Sequence, residues 1–269
     1  MRMKIAELRL YPIKSCRGLS VEVATVEPRG FAGDRRAMIV RPDGAFLTLR
    51  SHPKMAQIIV SAGETLTLML DGDAVEARLG LERQKVQVWG DRLSARIADD
   101  AVNAALSDFL GEPVQLVIMD DLSDRPTDPA FGTPSQVSFA DGYPYLITTT
   151  GSLVALQDSA GDAMPMDRFR PNIVIETDAP WLEDSWRQLE MGGVVFDLVK
   201  PCTRCVVTTL DQETGAQVGQ STMEALIRTR ARAGSWGRGV VFGINAIARA
   251  SGQTLQVGLP VSVLKTGPT

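Results

Sequence analysis

Cys205 is the residue best suited to chemistry in this sequence. It lies in Lys200-Pro201-Cys202-Thr203-Arg204-Cys205 and leads into the β-branched run Val206-Val207-Thr208-Thr209-Leu210, which reads as a strand. The chain holds three cysteines and one histidine. A structural zinc site takes four Cys or His ligands, and beyond Cys202 and Cys205 only Cys16 and His52 remain, without paired spacing. What is left is a thiolate used singly, as metal ligand or nucleophile, beside an arginine that favours the ionised sulfur. Positions 202 and 205 differ by an odd number, so on one regular strand the two thiols face opposite sides. That assigns Cys205 to the site and Cys202 to a supporting or buried position. A thioredoxin-like redox pair sits at a helix N-terminus, and the β-branched run that follows here argues against one.

The elements that must carry this segment are mostly short strands. Asp43-Gly44 is a hairpin signal joining residues 37–40 to 45–49, and Asp71-Gly72 joins 65–70 to 74–77. A helix is expected over about 99–110, capped by Asp99 or Asp100, striped by Val102, Leu106, Phe109 and Leu110, and ended by Gly111. From Asp120 to Ala140 the sequence is rich in Asp, Pro, Ser, Thr and Gly and reads as a long surface connection. Strands are expected at 145–148 and 173–176, with a short helix near 152–157 between them. Ser221-Thr222-Met223-Glu224 has capping-box form and predicts a helix to about Ala231. The runs 240–246 and 259–264 read as closing strands. The fold expected is mostly β with some α (α+β), a β-rich first unit over 1–120 and a second unit over 121–269 whose last strands close a mostly antiparallel, barrel-like fold.

Composition sets the class. The 269 residues are 44% hydrophobic, enough for one large core or two smaller ones. Met1 to Leu10 alternates charged and apolar residues, unlike a leader or a membrane span. The odd cysteine count suits a reducing compartment, the cytoplasm. The net charge of −4 hides an asymmetry: residues 1–60 carry eleven basic against five acidic side chains, net +6, leaving −10 for the rest. These basic residues are dispersed among strand and turn signals with little aromatic interleaving, so a small anionic ligand fits them better than nucleic acid. A solvated strand-edge role is the competing reading for any one of them. No Rossmann fingerprint is present.

Six segments, in order, carry a resemblance: Tyr11-Pro12-Ile13-Lys14-Ser15-Cys16-Arg17-Gly18, Gly33-Asp34-Arg35-Arg36, Thr48-Leu49-Arg50, Phe169-Arg170-Pro171-Asn172-Ile173-Val174, Glu183-Asp184-Ser185-Trp186 and Pro201 through Asp211. Together they resemble the molybdenum-cofactor proteins in which a MOSC domain follows an N-terminal β-barrel domain, the group of the mitochondrial amidoxime reducing component and its bacterial relatives. The resemblance implies molybdopterin, with molybdenum held by two pterin sulfurs, oxo groups and one cysteine, which aligns with Cys205. It places Lys14, Ser15, Arg35, Arg170, Asn172, Thr203 and Arg204 against the pterin, its phosphate or the metal oxygens, and Asp141 and Gly142, with Tyr143, on a lining loop. Arg36 is placed with them; for Arg36 and Arg50 a surface or inter-strand charge is the other reading. A surface-loop role is the reading for His52.

The activity implied is reduction of small N-hydroxylated compounds such as amidoximes and hydroxylamines; a cofactor carrier or sulfur-delivery protein is the alternative. No cysteine follows Cys205 to hold an iron–sulfur cluster. Electrons are therefore expected from separate partners, a ferredoxin or cytochrome b5-like carrier with a flavin reductase. Neither a membrane anchor nor pyridoxal phosphate is expected.

Overall fold

A computed structural model describes residues 3–61 and 65–267; Met1, Arg2 and the terminal Thr269 lie outside them. The architecture is mostly β with three α-helices among the described residues. The largest sheet has nine strands. Its main path runs Val261–Thr266, Trp186–Met191, Val194–Thr203, Gly237–Ala248, Tyr145–Thr149, Ile173–Ile175, Ile5–Leu10 and Leu19–Val21, with Ala231–Gly234 paired on Gly237–Ala248. A four-stranded sheet (Ala37–Val40, Gln115–Ile118, Asp91–Ala98, Leu79–Val88) and two three-stranded sheets complete the fold.

The two halves of the chain interlock. Ile5–Leu10 pairs antiparallel with Ile173–Ile175, and Val23–Glu27 with Thr254–Gln256, so Ile5, Leu8 and Val26 are buried with Phe196, Ile244 and Leu255. Conversely, Leu210 packs into a core of first-half residues that includes Ile13, Ile39 and Leu106. Tyr145–Thr149 and Ile173–Ile175 are parallel, joined by the helix Thr150–Ala160 as the crossover that a parallel pair requires.

Local signals explain much of this. In the helix Asp100–Leu110, Asp99 accepts from the backbone N–H groups of Ala101 and Val102, and Gly111 closes the end in the left-handed region at φ 76°. The Asp71-Gly72 hairpin forms between Leu66–Leu70 and Asp73–Ala77. Four expectations need correction. At Asp43-Gly44 the turn forms, but residues 45–49 make only isolated bridges, Val40 with Phe46 and Ala45 with Gln87. The strand Leu79–Val88 intrudes there: a Cβ on Gly44 would lie 2.4 Å from the Lys85 carbonyl oxygen. The run Val206–Thr209 is a 3-10 turn and not a strand, because Thr208 Oγ1 donates to the Cys205 carbonyl (3.0 Å) and Thr209 Oγ1 to that of Val206 (2.7 Å). The helix Ser221–Arg230 lacks its capping box, since Ser221 Oγ donates to Asp162 Oδ2 at 3.0 Å.

The connection 120–140 is the fourth correction, and only in part: most of 121–134 is exposed as expected, but Ser123, Arg125, Thr127 and residues 137–140 are buried. Arg125, 2% exposed, donates to the carbonyls of Ser138 (2.7 Å), Ala140 and Asp141 (3.2 Å) and pairs with Asp91 at 2.9 Å. Its guanidinium thus ties the hairpin strand Asp91–Ala98 to residues 138–141, and those carbonyls would be stranded without it. Arg125→Met is expected to lower stability by about 2–4 kcal/mol, measured by chemical denaturation; a change within about 0.5 kcal/mol would contradict this role.

Candidate functional site

Cys205 opens onto an open cleft of about 900 Å³ between the two halves of the chain. Ten of the eleven residues singled out by sequence line it: Lys14, Ser15, Arg35, Asp141, Gly142, Arg170, Asn172, Thr203, Arg204 and Cys205. Tyr143 and Arg50 line it too. Arg36 does not, being turned to Glu27 at 2.5 Å, and His52 is occupied by Glu112 at 2.5 Å and Ser51 at 2.8 Å.

The thiol segment is built by the end of one strand. Val194–Thr203 pairs with Gly237–Ala248 with its register broken between Pro201 and Thr203, and the chain then leaves the sheet at Arg204. The face alternation expected of a regular strand therefore does not hold. Both Cys202 and Cys205 line the cleft, Cys202 half-buried and Cys205 exposed. Arg204 donates through Nη1 to Cys202 Sγ (2.9 Å) and through Nη2 to the Phe169 carbonyl (2.7 Å). Asn245, whose Nδ2 donates to the Lys200 carbonyl at 3.1 Å, pins the approach to the segment.

Opposite lies a cluster of cations. Arg35 Nη1 donates to Asp34 Oδ2 (2.6 Å) and Asn172 Oδ1 (2.9 Å), and its Nη2 to the Arg170 carbonyl (3.0 Å). Arg170 donates to Gln212 Oε1 (3.1 Å) and the Cys16 carbonyl (2.9 Å), and bonds to no carboxylate among the described residues. Both guanidiniums lie over the Tyr11 ring at 4.3 Å from its centroid. A Cβ on Gly18 would lie 2.3 Å from Tyr11 Cε1, so a glycine there leaves room for the ring. Burial, with Arg35 adding repulsion, lowers the Arg170 pKa; burial also raises that of the Tyr11 phenol, whose hydroxyl has no hydrogen-bond partner among the described residues.

Lys14, 5% exposed, donates to the Phe139 carbonyl (2.8 Å) and Asp141 Oδ1 (2.6 Å). Desolvation lowers the Lys14 pKa. Desolvation opposes ionisation of Asp141 too, but the Lys14 ammonium and the Trp89 indole N–H, at 3.2 Å, hold its carboxyl well below the usual carboxylate range. Trp89 carries Arg50 over its ring at 4.7 Å. Four of the six non-glycine residues with positive φ line this cleft: Ser15, Arg35, Trp89 and Arg170. Such strain persists where surrounding structure over-determines it, commonly at functional sites.

Sequence reasoning passed over Trp89, Phe139, Asn245 and the inward role of Cys202. Only Asn245, a polar residue inside the apolar run 240–246, left a readable signal; Trp89 reaches the cleft from a hairpin distant in sequence.

The site suits a phosphorylated, metal-bearing cofactor. Lys14, Arg35, Arg50, Arg170 and Arg204 outnumber Asp141 and Asp34, giving the anion preference expected of guanidinium and ammonium donors. Arg204 Nε and the Tyr143 hydroxyl are buried at its wall without a hydrogen-bond partner among the described residues, two donors for a ligand. Two thiols supply soft donors, while no group of three or more His, Cys, Asp or Glu side chains suited to a metal occurs among the described residues.

Residues 2–113 match the MOSC N-terminal beta barrel domain and residues 134–262 the MOSC domain. Mitochondrial amidoxime-reducing component 1 of Homo sapiens is 30% identical, over 97% of this chain and 82% of that protein. Component 2 of Homo sapiens is 27% identical, over 78% of this chain and 68% of that protein. Molybdenum cofactor sulfurase of Danio rerio is 27% identical over 94% of this chain, which spans 33% of the sulfurase.

The geometry separates the three thiols. Cys16 is fully buried, and burial pushes its thiol up to about 12, so at pH 8 it is both covered and protonated. Alkylation of the folded protein at pH 8, read by mass spectrometry, is expected to modify Cys202 and Cys205 and to spare Cys16 until denaturant is added; modification of Cys16 at a comparable rate would contradict the packing.

Proposed function

Since this chain belongs to the family that joins a MOSC N-terminal β-barrel domain to a MOSC domain, we propose that it binds the molybdenum cofactor in the cleft and reduces small N-hydroxylated compounds. The single observation that carries this reading is the meeting of an exposed thiol, Cys205, with a cation-rich wall in one cleft. When bound, the cofactor would supply a redox-active metal able to take the oxygen of an N-hydroxylated substrate.

The protein's own residues have separable tasks. Cys205, released from the strand ladder at the end of Val194–Thr203, is free to act as the metal's protein ligand. Arg35 and Arg170, with forked donors, suit the cofactor phosphate, and Lys14 adds a point charge nearby. Asn172 and Asp34 hold the Arg35 guanidinium in place, and Asn172 takes a further bond from the Leu146 N–H at 3.2 Å. Arg204 Nε and the Tyr143 hydroxyl, both buried and unbonded among the described residues, would serve as donors to the bound cofactor. Trp89 and Arg50 wall the cleft from the first half of the chain and limit water there.

Electrons would come from separate carriers, a ferredoxin or cytochrome b5-like protein served by a flavin reductase. The cytoplasm suits three free thiols. Among the described residues no helix is long and apolar enough to cross a membrane. The name of the amidoxime-reducing relatives, aligned over most of this chain, supports the substrate class.

Protein made in a cofactor-competent host is expected to hold about one molybdenum per chain and to reduce benzamidoxime with dithionite as electron source. Cys205→Ala should lose both the metal and at least about 100-fold in rate, the scale of losing a metal's anchoring group. Wild-type protein that carries molybdenum but turns over no amidoxime or hydroxylamine would contradict the reductase reading, and a fully active Cys205→Ala would contradict the assigned ligand.

A further inference from the structure

Beyond Glu224 the sequence contains no acidic residue, yet it contains Arg228, Arg230, Arg232, Arg238, Arg249 and Lys265. In a protein of net charge −4 this is a sharp local reversal. Arg230 and Arg249 are neutralised by Asp184 and Asp197. Arg232 and Arg238 are not: both are exposed, and among the described residues neither forms an ion pair, Arg232 donating only to its neighbour's carbonyl. They sit on the hairpin of Ala231–Gly234 with the start of Gly237–Ala248, where Arg232 pairs with Gly239 and Arg238 with Ala233. The two side chains therefore leave opposite faces of the ribbon and make its tip positive on both sides.

The ribbon abuts the thiol segment. The same strand pairs Val241 with Thr203, the Arg204 N–H donates to the Val240 carbonyl at 2.8 Å, and a Cβ on Gly239 would lie 3.0 Å from Thr203 Cγ2. Two apolar groups accompany the charges: Trp236, half-buried at the turn against Gly234, and Val206, 44% exposed directly after Cys205. Unpaired guanidiniums around a tryptophan are the composition of a protein-docking surface, with the arginines steering an oppositely charged partner.

We propose that this hairpin is the docking surface for an acidic electron-carrier protein, placing its redox centre beside Cys205. The proposal rests on the reductase reading for the identity of the partner as an electron carrier; the charge and position of the hairpin stand without it.

The test uses the cofactor-loaded full chain and the double variant Arg232→Glu/Arg238→Glu, whose fold is checked by circular dichroism and melting temperature. Binding of two acidic probes, a plant-type two-iron ferredoxin and a soluble cytochrome b5 domain, is measured by calorimetry at low and high salt. Wild type is expected to bind at least one probe at low salt, less tightly at high salt, and the variant about ten-fold more weakly. Dithionite-driven amidoxime reduction should be equal in both proteins. The proposal is overturned if neither probe binds wild type, if both proteins bind equally, or if the variant loses only binding to phosphatidylglycerol vesicles, which would make the hairpin a membrane contact. Should dithionite drive no reduction in wild type while a probe still binds through the hairpin, the reductase reading falls and the docking surface stands.

Discussion

Two guanidiniums held over one tyrosine ring are the constraint on which this site depends. Arg35 and Arg170 repel one another in a desolvated place, and among the described residues Asp34 is the one carboxylate bonded to either. Such an arrangement is costly unless the excess charge meets an anion, because an unneutralised charge away from water is penalised steeply. The packing therefore favours an anion at this wall. The residues responsible come from three distant stretches of chain: Tyr11 at the N-terminus, Asp34 and Arg35 beyond it, and Arg170 with Asn172 in the second half.

That convergence explains why the two halves interlock. Ile5–Leu10 runs in the large sheet beside Ile173–Ile175, which places Tyr11, just past its end, near Arg170 and Asn172. The Arg9 N–H bonds the Asn172 carbonyl at 3.0 Å and the Arg35 N–H bonds that of Tyr11 at 2.8 Å, so backbone bonds fix what the side chains use. The thiol wall is anchored differently, by a strand whose ladder ends at Thr203 and by Leu210, buried in the opposite core. Left-handed backbone recurs at Ser15, Arg35, Trp89 and Arg170, all on the walls of this one cleft.

What could be read from sequence was what local chemistry decides. The Asp99 cap, the Gly111 stop and the Asp71-Gly72 turn need only neighbours within a few residues, and each formed. The mostly β character followed from the density of such short strands. Long-range contacts defeated the rest. The β-branched run after Cys205 has strand composition, but its threonines bond back to the turn. Arg125 sits in a stretch that is polar by composition and buried because four acceptors surround it. At the site, the motif residues carry the charge and sulfur chemistry in their types, whereas Trp89 and Cys202 reach the cleft only through a distant hairpin and a broken register.

The proposed function depends on one bond, which Cys205 would make to the metal of a cofactor bound in the cleft. X-ray absorption at the molybdenum edge, on loaded wild type and on Cys205→Ser, addresses it directly. The account predicts three sulfur ligands in the wild type, two from the pterin and one from the protein, and two in the variant. Equal sulfur counts in the two proteins would contradict it.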